Sequence, residues 1–248
     1  MASDLLVIVP SRGRPDSLER VAAAWDATGA FQESAGLIFA VDADDPRLPG
    51  YRSALDRLAA RNPDRPINLM GCGPWQPMVP KLNAAAVMFA EQGHFALAFM
   101  GDDHVPRTTG WARLYLEALR ELGTGVVYGN DLLQGERLCT EWAMTSDIVR
   151  TLGRMVPAPV EHMYCDNSVM DLASRAGCLR YLPHVVVEHC HPLAGKADWD
   201  VGYARVNRAE QFHRDEAAYH RWADHDRGLD VAVVKALRGS DGAVRDPE

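Results

Sequence analysis

The chain has 248 residues, 47% hydrophobic and 24% charged, with a formal net charge of −8. That length allows one large domain or two small ones with a real core, and the composition is ordinary for a soluble globular protein. No apolar run approaches the ~20 residues of a membrane span, and the acidic balance argues mildly against passive nucleic-acid binding. The opening MASDLLVIVP lacks a basic flank and breaks at Pro10, too short for a signal peptide. Cys72, Cys139, Cys165, Cys178 and Cys190 are odd in number and form no CxxC pair, which points to a reducing cytoplasm.

Residues 5–9 read as a first buried strand, left through Pro10-Ser11-Arg12-Gly13-Arg14-Pro15. Asp16 reads as an N-cap, with Glu19 completing a capping box. Leu18, Val21, Ala22 and Trp25 give the stripe of the following helix, which Gly29 stops. A second strand over 37–41 ends at Asp42-Ala43-Asp44-Asp45-Pro46. A short helix over 51–60 leads to a third strand over 67–70, broken by Gly71-Cys72-Gly73-Pro74. A helix over 81–92, ended by Gly93, precedes the run FALAFM at 95–100. Bounded by turn residues, that run reads as a central strand buried on both faces. Thr108 or Thr109 caps a helix carrying Trp111, Leu114, Tyr115, Ala118, Leu119 and Leu122, and 125–128 is another strand. Strand–helix alternation with short connections means βαβ units and a mostly parallel sheet flanked by helices.

Beyond Asn130 the pattern loosens. We expect a strand over 138–144, helices over 146–152 and 167–175, and a hairpin-like pair at 179–182 and 185–188. A polar helical tail covers 206–226, and fraying is expected from Ser240. The expectation is an α/β chain with a nucleotide-type half at 1–130 and a less regular half of the same domain at 131–248.

Asp102-Asp103-His104 is the strongest chemical signal, standing where open α/β sheets hold their ligands. Carboxylate oxygens beside an imidazole suit Mn²⁺ or Mg²⁺, and open coordination positions can take phosphate oxygens. A capping Asp beside solvated neighbours is the plain alternative, more fitting for a lone Asp than for three ligands in a row. In Glu188-His189-Cys190-His191, alternation puts His189 and His191 on one face, so either can complete that coordination. A structural zinc site with Cys165, Cys178 or His184, or ordinary surface histidines, is the competing account, although no zinc-finger spacing appears. Asp42 suits a ribose or base edge, whereas Asp45-Pro46 reads as a turn. Arg12 and Arg14 offer guanidinium forks to phosphate, and Lys81 and Asn83 open a helix, a natural place for an anion. Glu161 and Asp166 are candidates for proton transfer, with Asp166-Asn167 equally fitting an N-cap. Trp142, Met144, Trp199 and Tyr203 are candidates for an acceptor floor, though such residues are as often core.

Taken in register, residues 5–15 (LLVIVPSRGRP), Phe39-Ala40-Val41-Asp42, Lys81-Leu82-Asn83-Ala84-Ala85 and Met100-Gly101-Asp102-Asp103-His104 resemble a GT-A-fold glycosyltransferase of the inverting family-2 type. The resemblance covers roughly the first half and is looser beyond it. It implies a nucleotide-sugar donor, a UDP-sugar, held by Pro10, Arg12, Arg14, Lys81, Asn83 and Asp102, with Asp42 on the nucleoside. It implies Asp103 as the metal ligand bridging the diphosphate, helped by Asp102 or His104, and joined by His189 or His191. It places the catalytic base at Asp166 and Lys196 in a mobile loop near the diphosphate. The motif here is Asp-Asp-His where Asp-Xaa-Asp is common, so the metal-holding side chain stays open. The compact form resembles small bacteriophage-encoded glycosyltransferases, which implies the host cytoplasm. A modified DNA base, a protein side chain and a small sugar are all candidate acceptors.

Two other readings compete. A sugar nucleotidyltransferase would show a Gly-rich loop after the first strand, where this chain has one glycine and two arginines. A non-catalytic zinc module would use Cys165, Cys178, His189, Cys190 and His191, and would leave the N-terminal constellation unexplained.

Overall fold

The structure, a computed structural model, describes residues 3–241. Eight strands form one sheet: β1 (Leu5–Ser11), β2 (Ala35–Asp42), β3 (Ile67–Cys72), β4 (Ala96–Phe99), β5 (His104–Pro106), β6 (Val126–Asn130), β7 (Trp142–Thr145) and β8 (Leu179–His189). Their order across the sheet is β3-β2-β1-β4-β7-β6-β8-β5. Flanking them are α1 (Pro15–Thr28), α2 (Leu48–Arg61), α3 (Met78–Ala90), α4 (Trp111–Leu122), α5 (Ser146–Leu152), α6 (Cys165–Ala176), α7 (Val201–Val206), α8 (Ala209–His225) and α9 (Arg227–Asp241).

β1 is apolar along most of its length because both its faces are covered. Leu6 and Ile8 enter the core on one side, Leu5, Val7 and Val9 the core on the other. β3, β2, β1 and β4 pair in parallel. β7 then runs antiparallel between β4 and β6, and β6 pairs in parallel with β8. The sheet is therefore parallel on one side and mixed on the other. The carboxyl ends of β1, β2, β4, β6 and β8 still share one edge, and the site is built there.

Local chemistry explains most element ends. Pro15 presets the first turn of α1, and Gly29 closes it in the left-handed conformation at φ 78°. The expected capping box does not form. Arg14 occupies the N-cap without a side-chain bond, so Asp16 lies inside the first turn, and Glu19 pairs with Arg57. Nor does a threonine cap α4, which starts at Gly110. Thr108 instead accepts from Val186 N–H at 2.8 Å and donates to His184 O at 3.3 Å, tying the α4 approach to β8.

Tertiary pairing shapes three regions beyond what the sequence pattern indicated. The hairpin at 179–188 is a single eleven-residue strand, β8, kept continuous by pairing first with β6 and then with β5. β5 itself was not expected: three residues gain strand geometry only because His104 lies opposite His189 in the register. The polar tail expected over 206–226 forms α8, and the helices on either side of it, α7 and α9, were not expected. Trp222 of α8 and Val234 of α9 enter the main core, and Trp222 Nε1 donates to Asp230 at 2.8 Å. Residues 242–248, where most of the expected fraying falls, lie outside the described residues.

Candidate active site

Four strand ends supply the site. β1 delivers Ser11, Arg12 and Arg14, β2 delivers Asp42, β4 leads into Asp102 and Asp103, and β8 ends on His189. Two clusters result, one on each side of β1.

At the β2 end, Asp42 is fully buried. Its Oδ1 lies 2.7 Å from Lys81 Nζ and its Oδ2 2.9 Å from Arg12. Arg12 also pairs with Asp44 at 2.7 Å, and Asp44 accepts the Trp75 N–H at 3.0 Å. Lys81 is buried with Asp42, so helix α3 brings its cation to the β2 end, where a carboxylate of the chain itself is its partner. Asn83, two residues on, faces elsewhere. Its Oδ1 accepts Met155 and Val156 N–H and its amide donates to Val156 O, so it pins the 155–156 loop. Pro10 lies within β1, opposite Ala40 in register.

Beyond β4, Gly101 makes room for the acidic pair. A Cβ there would stand 2.5 Å from Asp103 Oδ1 and 2.8 Å from His104 Nδ1, so only glycine lets the next three residues fold back. Asp102 then turns toward β1. It accepts Ser11 Oγ at 2.6 Å and Arg14 at 2.9 Å, and Arg14 goes on to Asp200 at 2.6 Å. Burial pushes the Asp102 carboxyl above its usual range, against the pull of Arg14. Asp103 turns the other way. Its Oδ1 is 3.4 Å from His104 Nδ1, and its Oδ2 is 3.3 Å from His189 Nε2. Tyr203 of α7 donates to the same Oδ2 at 2.7 Å.

Asp103, His104 and His189 thus converge, with one ligand atom from each within 4.8 Å of the others. Their chemistry fits a metal. The imidazoles stack with centroids 4.2 Å apart, a separation that disfavours two cations. Burial, followed by the His189 charge, pushes His104 below its ordinary pKa, leaving it neutral with its lone pair on Nδ1, which accepts the Gly101 N–H at 2.9 Å beside Asp103. The ring nitrogens farther from Asp103, His104 Nε2 and His189 Nδ1, are buried without a hydrogen-bond partner, an unfavourable state for a polar atom. One carboxylate with two imidazoles suits Mn²⁺ better than Mg²⁺, which prefers oxygen.

His191 stands one ring away from this group, 5.1 Å from His189 by centroid, and its Nδ1 accepts the Leu193 N–H. Lys196 pairs with Glu188 at 2.8 Å. Asp166 lies in the first turn of α6, where its Oδ1 accepts the Asn167 N–H at 2.9 Å. Burial raises its pKa. Trp142 and Met144 do not floor an acceptor site. Both are wholly buried in β7, with Trp142 packed on Phe99 at 4.6 Å. The zinc-module ligands are not gathered either: β8 separates Cys178 from His189 by on the order of 30 Å.

Several residues of the site carry no local motif. Asp200 is one, and Tyr203, expected in an acceptor floor, meets Asp103 instead, with Arg14 lying 4.0 Å over its ring. Asp131 stands 3.9 Å behind His189 Nδ1. Burial opposes its ionisation, but N–H groups of the 133–135 turn hold its pKa down. Its signal was available: an Asp just after a strand and four residues before Gly135 is an Asx-turn pattern. Asp215 of α8 accepts the consecutive N–H groups of Glu161, His162 and Met163 at 2.8, 3.0 and 2.8 Å. It thereby fixes the loop that feeds α6.

No protein-family model matches the sequence, and no curated protein matches it. Solved structures do. The mannosyltransferase PcManGT of Pyrobaculum calidifontis, solved with GDP-Man and Mn²⁺, superposes with a TM-score of 0.62 at 14% identity, over 98% of this chain and 76% of that one. The 1–349 segment of S. aureus TarS gives 0.55 at 8% identity, over 99% and 93%. A TarS structure with UDP-GlcNAc gives 0.52 at 9%, over 97% and 92%. The chain has the GT-A-like fold these glycosyltransferases share.

Proposed function

We propose that the chain is a metal-dependent, inverting glycosyltransferase that moves a sugar from a nucleotide-sugar, a UDP-sugar, to a hydroxyl acceptor. The observation that carries this reading is the Asp103–His104–His189 group, with one ligand atom from each within 4.8 Å of the others, on the same strand edge as Asp42. The neighbours solved with GDP-Man and Mn²⁺, with UDP and with UDP-GlcNAc support the donor class. Asp42 meets the nucleoside, held in place by Lys81 and Arg12. Asp103, His104 and His189 hold Mn²⁺, with His191 beside them and Asp131 orienting His189 from behind. When bound, the metal supplies positive charge against the diphosphate as it leaves. Lys196 reaches the diphosphate when its pair with Glu188 opens.

Asp166 removes the acceptor proton as that oxygen attacks the anomeric carbon from the face opposite the leaving group. Its raised pKa makes it a stronger base than a surface carboxylate, and such a base contributes on the order of a hundredfold or more. Asp166→Asn is expected to keep metal-dependent UDP binding by calorimetry while losing at least ~100-fold in turnover. Full turnover in that variant would remove Asp166 from the mechanism. The acceptors in view are a modified DNA base of bacteriophage type, a protein side chain and a sugar. In this reading the enzyme works in the cytoplasm. No described helix is long and apolar enough to cross a membrane.

A further inference from the structure

With Trp142 and Met144 in the core, the acceptor needs another surface. We propose that Tyr164 and Phe212 form an aromatic ledge that binds a pyranose ring of a carbohydrate acceptor beside Asp166. This rests on the glycosyltransferase reading and assigns its acceptor class.

Tyr164 is the N-cap of α6, two residues before Asp166, and its φ is 63°. A side chain in that left-handed region costs about 1–2 kcal/mol, and such outliers persist where the surroundings enforce them, often at functional sites. Glycine removes the cost, and glycines do hold the left-handed positions that close α1, α5 and α6: Gly29, Gly153 and Gly177. A tyrosine at position 164 therefore keeps its ring at an energetic disadvantage.

The surroundings that hold it come from α8. Asp215 clamps the three N–H groups just before it, and the Tyr164 hydroxyl donates to Glu216 at 3.0 Å. The ring lies 5.3 Å from Phe212 at 55° and 5.3 Å from Tyr219 at 26°. Phe212 is 41% exposed, an open apolar face against Tyr164, which lies two residues before the proposed base. Arg214 pairs with Glu161 at 3.0 Å, and Glu216, which holds the Tyr164 hydroxyl, lies 3.5 Å from His213. An aromatic face rimmed by carboxylates and cations is the chemistry that recognises a sugar ring. The C–H face packs on the aromatic carbon, and the hydroxyls find donors and acceptors at the rim. Two rim carboxylates count against a phosphate backbone.

Saturation-transfer NMR on the whole chain with cellotriose, chitotriose and mannotriose tests the assignment. At least one trisaccharide is expected to bind saturably, with affinity reduced on the order of tenfold in Phe212→Ser and in Tyr164→Gly, the value of one good aromatic contact. Tyr164→Gly also relieves the strained φ, so a loss of sugar binding there is not a loss of backbone fit. Should Tyr164→Gly not fold, Phe212→Ser, on an exposed position, decides alone. Absence of binding by all three sugars overturns the ledge, as does unchanged affinity in the variants. Binding of a single-stranded oligonucleotide that Phe212→Ser abolishes overturns the carbohydrate class. Calorimetry of UDP and GDP with Mn²⁺ on the wild type reports the donor site separately, so nucleotide binding without sugar binding refutes the ledge alone.

Discussion

The two corners of the site are built from the same kinds of side chain and balanced in opposite ways. At Asp42, two carboxylates meet two cations: Lys81 and Arg12 on Asp42, and Arg12 again on Asp44. At Asp103, one carboxylate faces two stacked imidazoles, and two buried nitrogens have no partner. The first corner is complete as folded. The second is complete only with a ligand. Charge compensation therefore separates a carboxylate that is already paired before the nucleoside arrives from a group that a ligand must complete.

The sharpest way to break this contrast is Asp103→Ala. Metal-dependent nucleotide binding should fall more than ~100-fold, and the rise in melting temperature caused by Mn²⁺ should vanish. Calorimetry and melting, with and without EDTA, read both. Asp42→Ala should act on the fold as well as on nucleotide binding. It leaves Lys81 buried without its counter-charge, which costs on the order of 3–5 kcal/mol, or roughly 6–20 °C for a chain of this size. Lys81→Met in the same background should recover part of that loss. If Asp103→Ala and Asp42→Ala lower the EDTA melting temperature equally, the two corners do not differ in the way their charges suggest.

How much of this was legible in the sequence follows the range of the interactions. The strands ending at Ser11, Asp42 and Phe99 were readable because each is a short apolar run whose end is marked by turn residues. Asp102-Asp103-His104 stood out for the same reason. What the sequence could not say was that Asp102 turns to Ser11 and Arg14, or which of His189 and His191 meets Asp103, since those partners are roughly 90 residues away. Trp142 misled because an aromatic residue in a strand has no local mark telling core from surface. Asn83 misled because a helix opening looks the same whether it faces an anion or a neighbouring loop. The contribution of α8 was hidden altogether. Asp215 sits in a polar helical stretch, and its clamp on the 161–163 loop exists only after the tail has docked.

That clamp carries the next prediction. Asp215→Asn exchanges a charged acceptor of three N–H groups for a neutral one, and should cost about 1–3 kcal/mol. The damage should concentrate in the second half of the site. UDP binding should hold, while hydrogen exchange at residues 161–163 speeds up. An unchanged exchange rate at those amides would mean that α8 does not position the loop.

The smallest effect expected is a pH slope from His162, on the loop Asp215 holds. Burial pushes this imidazole down to about 4, against the attraction of Asp215 and Asp103 and with the repulsion of Arg14. The unfolded chain takes up the proton near ~6.5 and the folded chain only well below that. Stability from the buried neutral ring is therefore complete above pH ~6.5 and declines as the pH falls toward 4. Asp102 and Asp166 oppose this slope, because their raised pKa values let the folded state take protons first. The His162 contribution is thus the difference between wild type and His162→Gln, measured by denaturant titration in EDTA from pH 7 to 4. The variant should lose less stability than the wild type over that interval. Parallel curves would place His162 in a wetter setting than the loop geometry gives it, and would weaken the picture of a loop held shut by α8 beside the Asp103 corner.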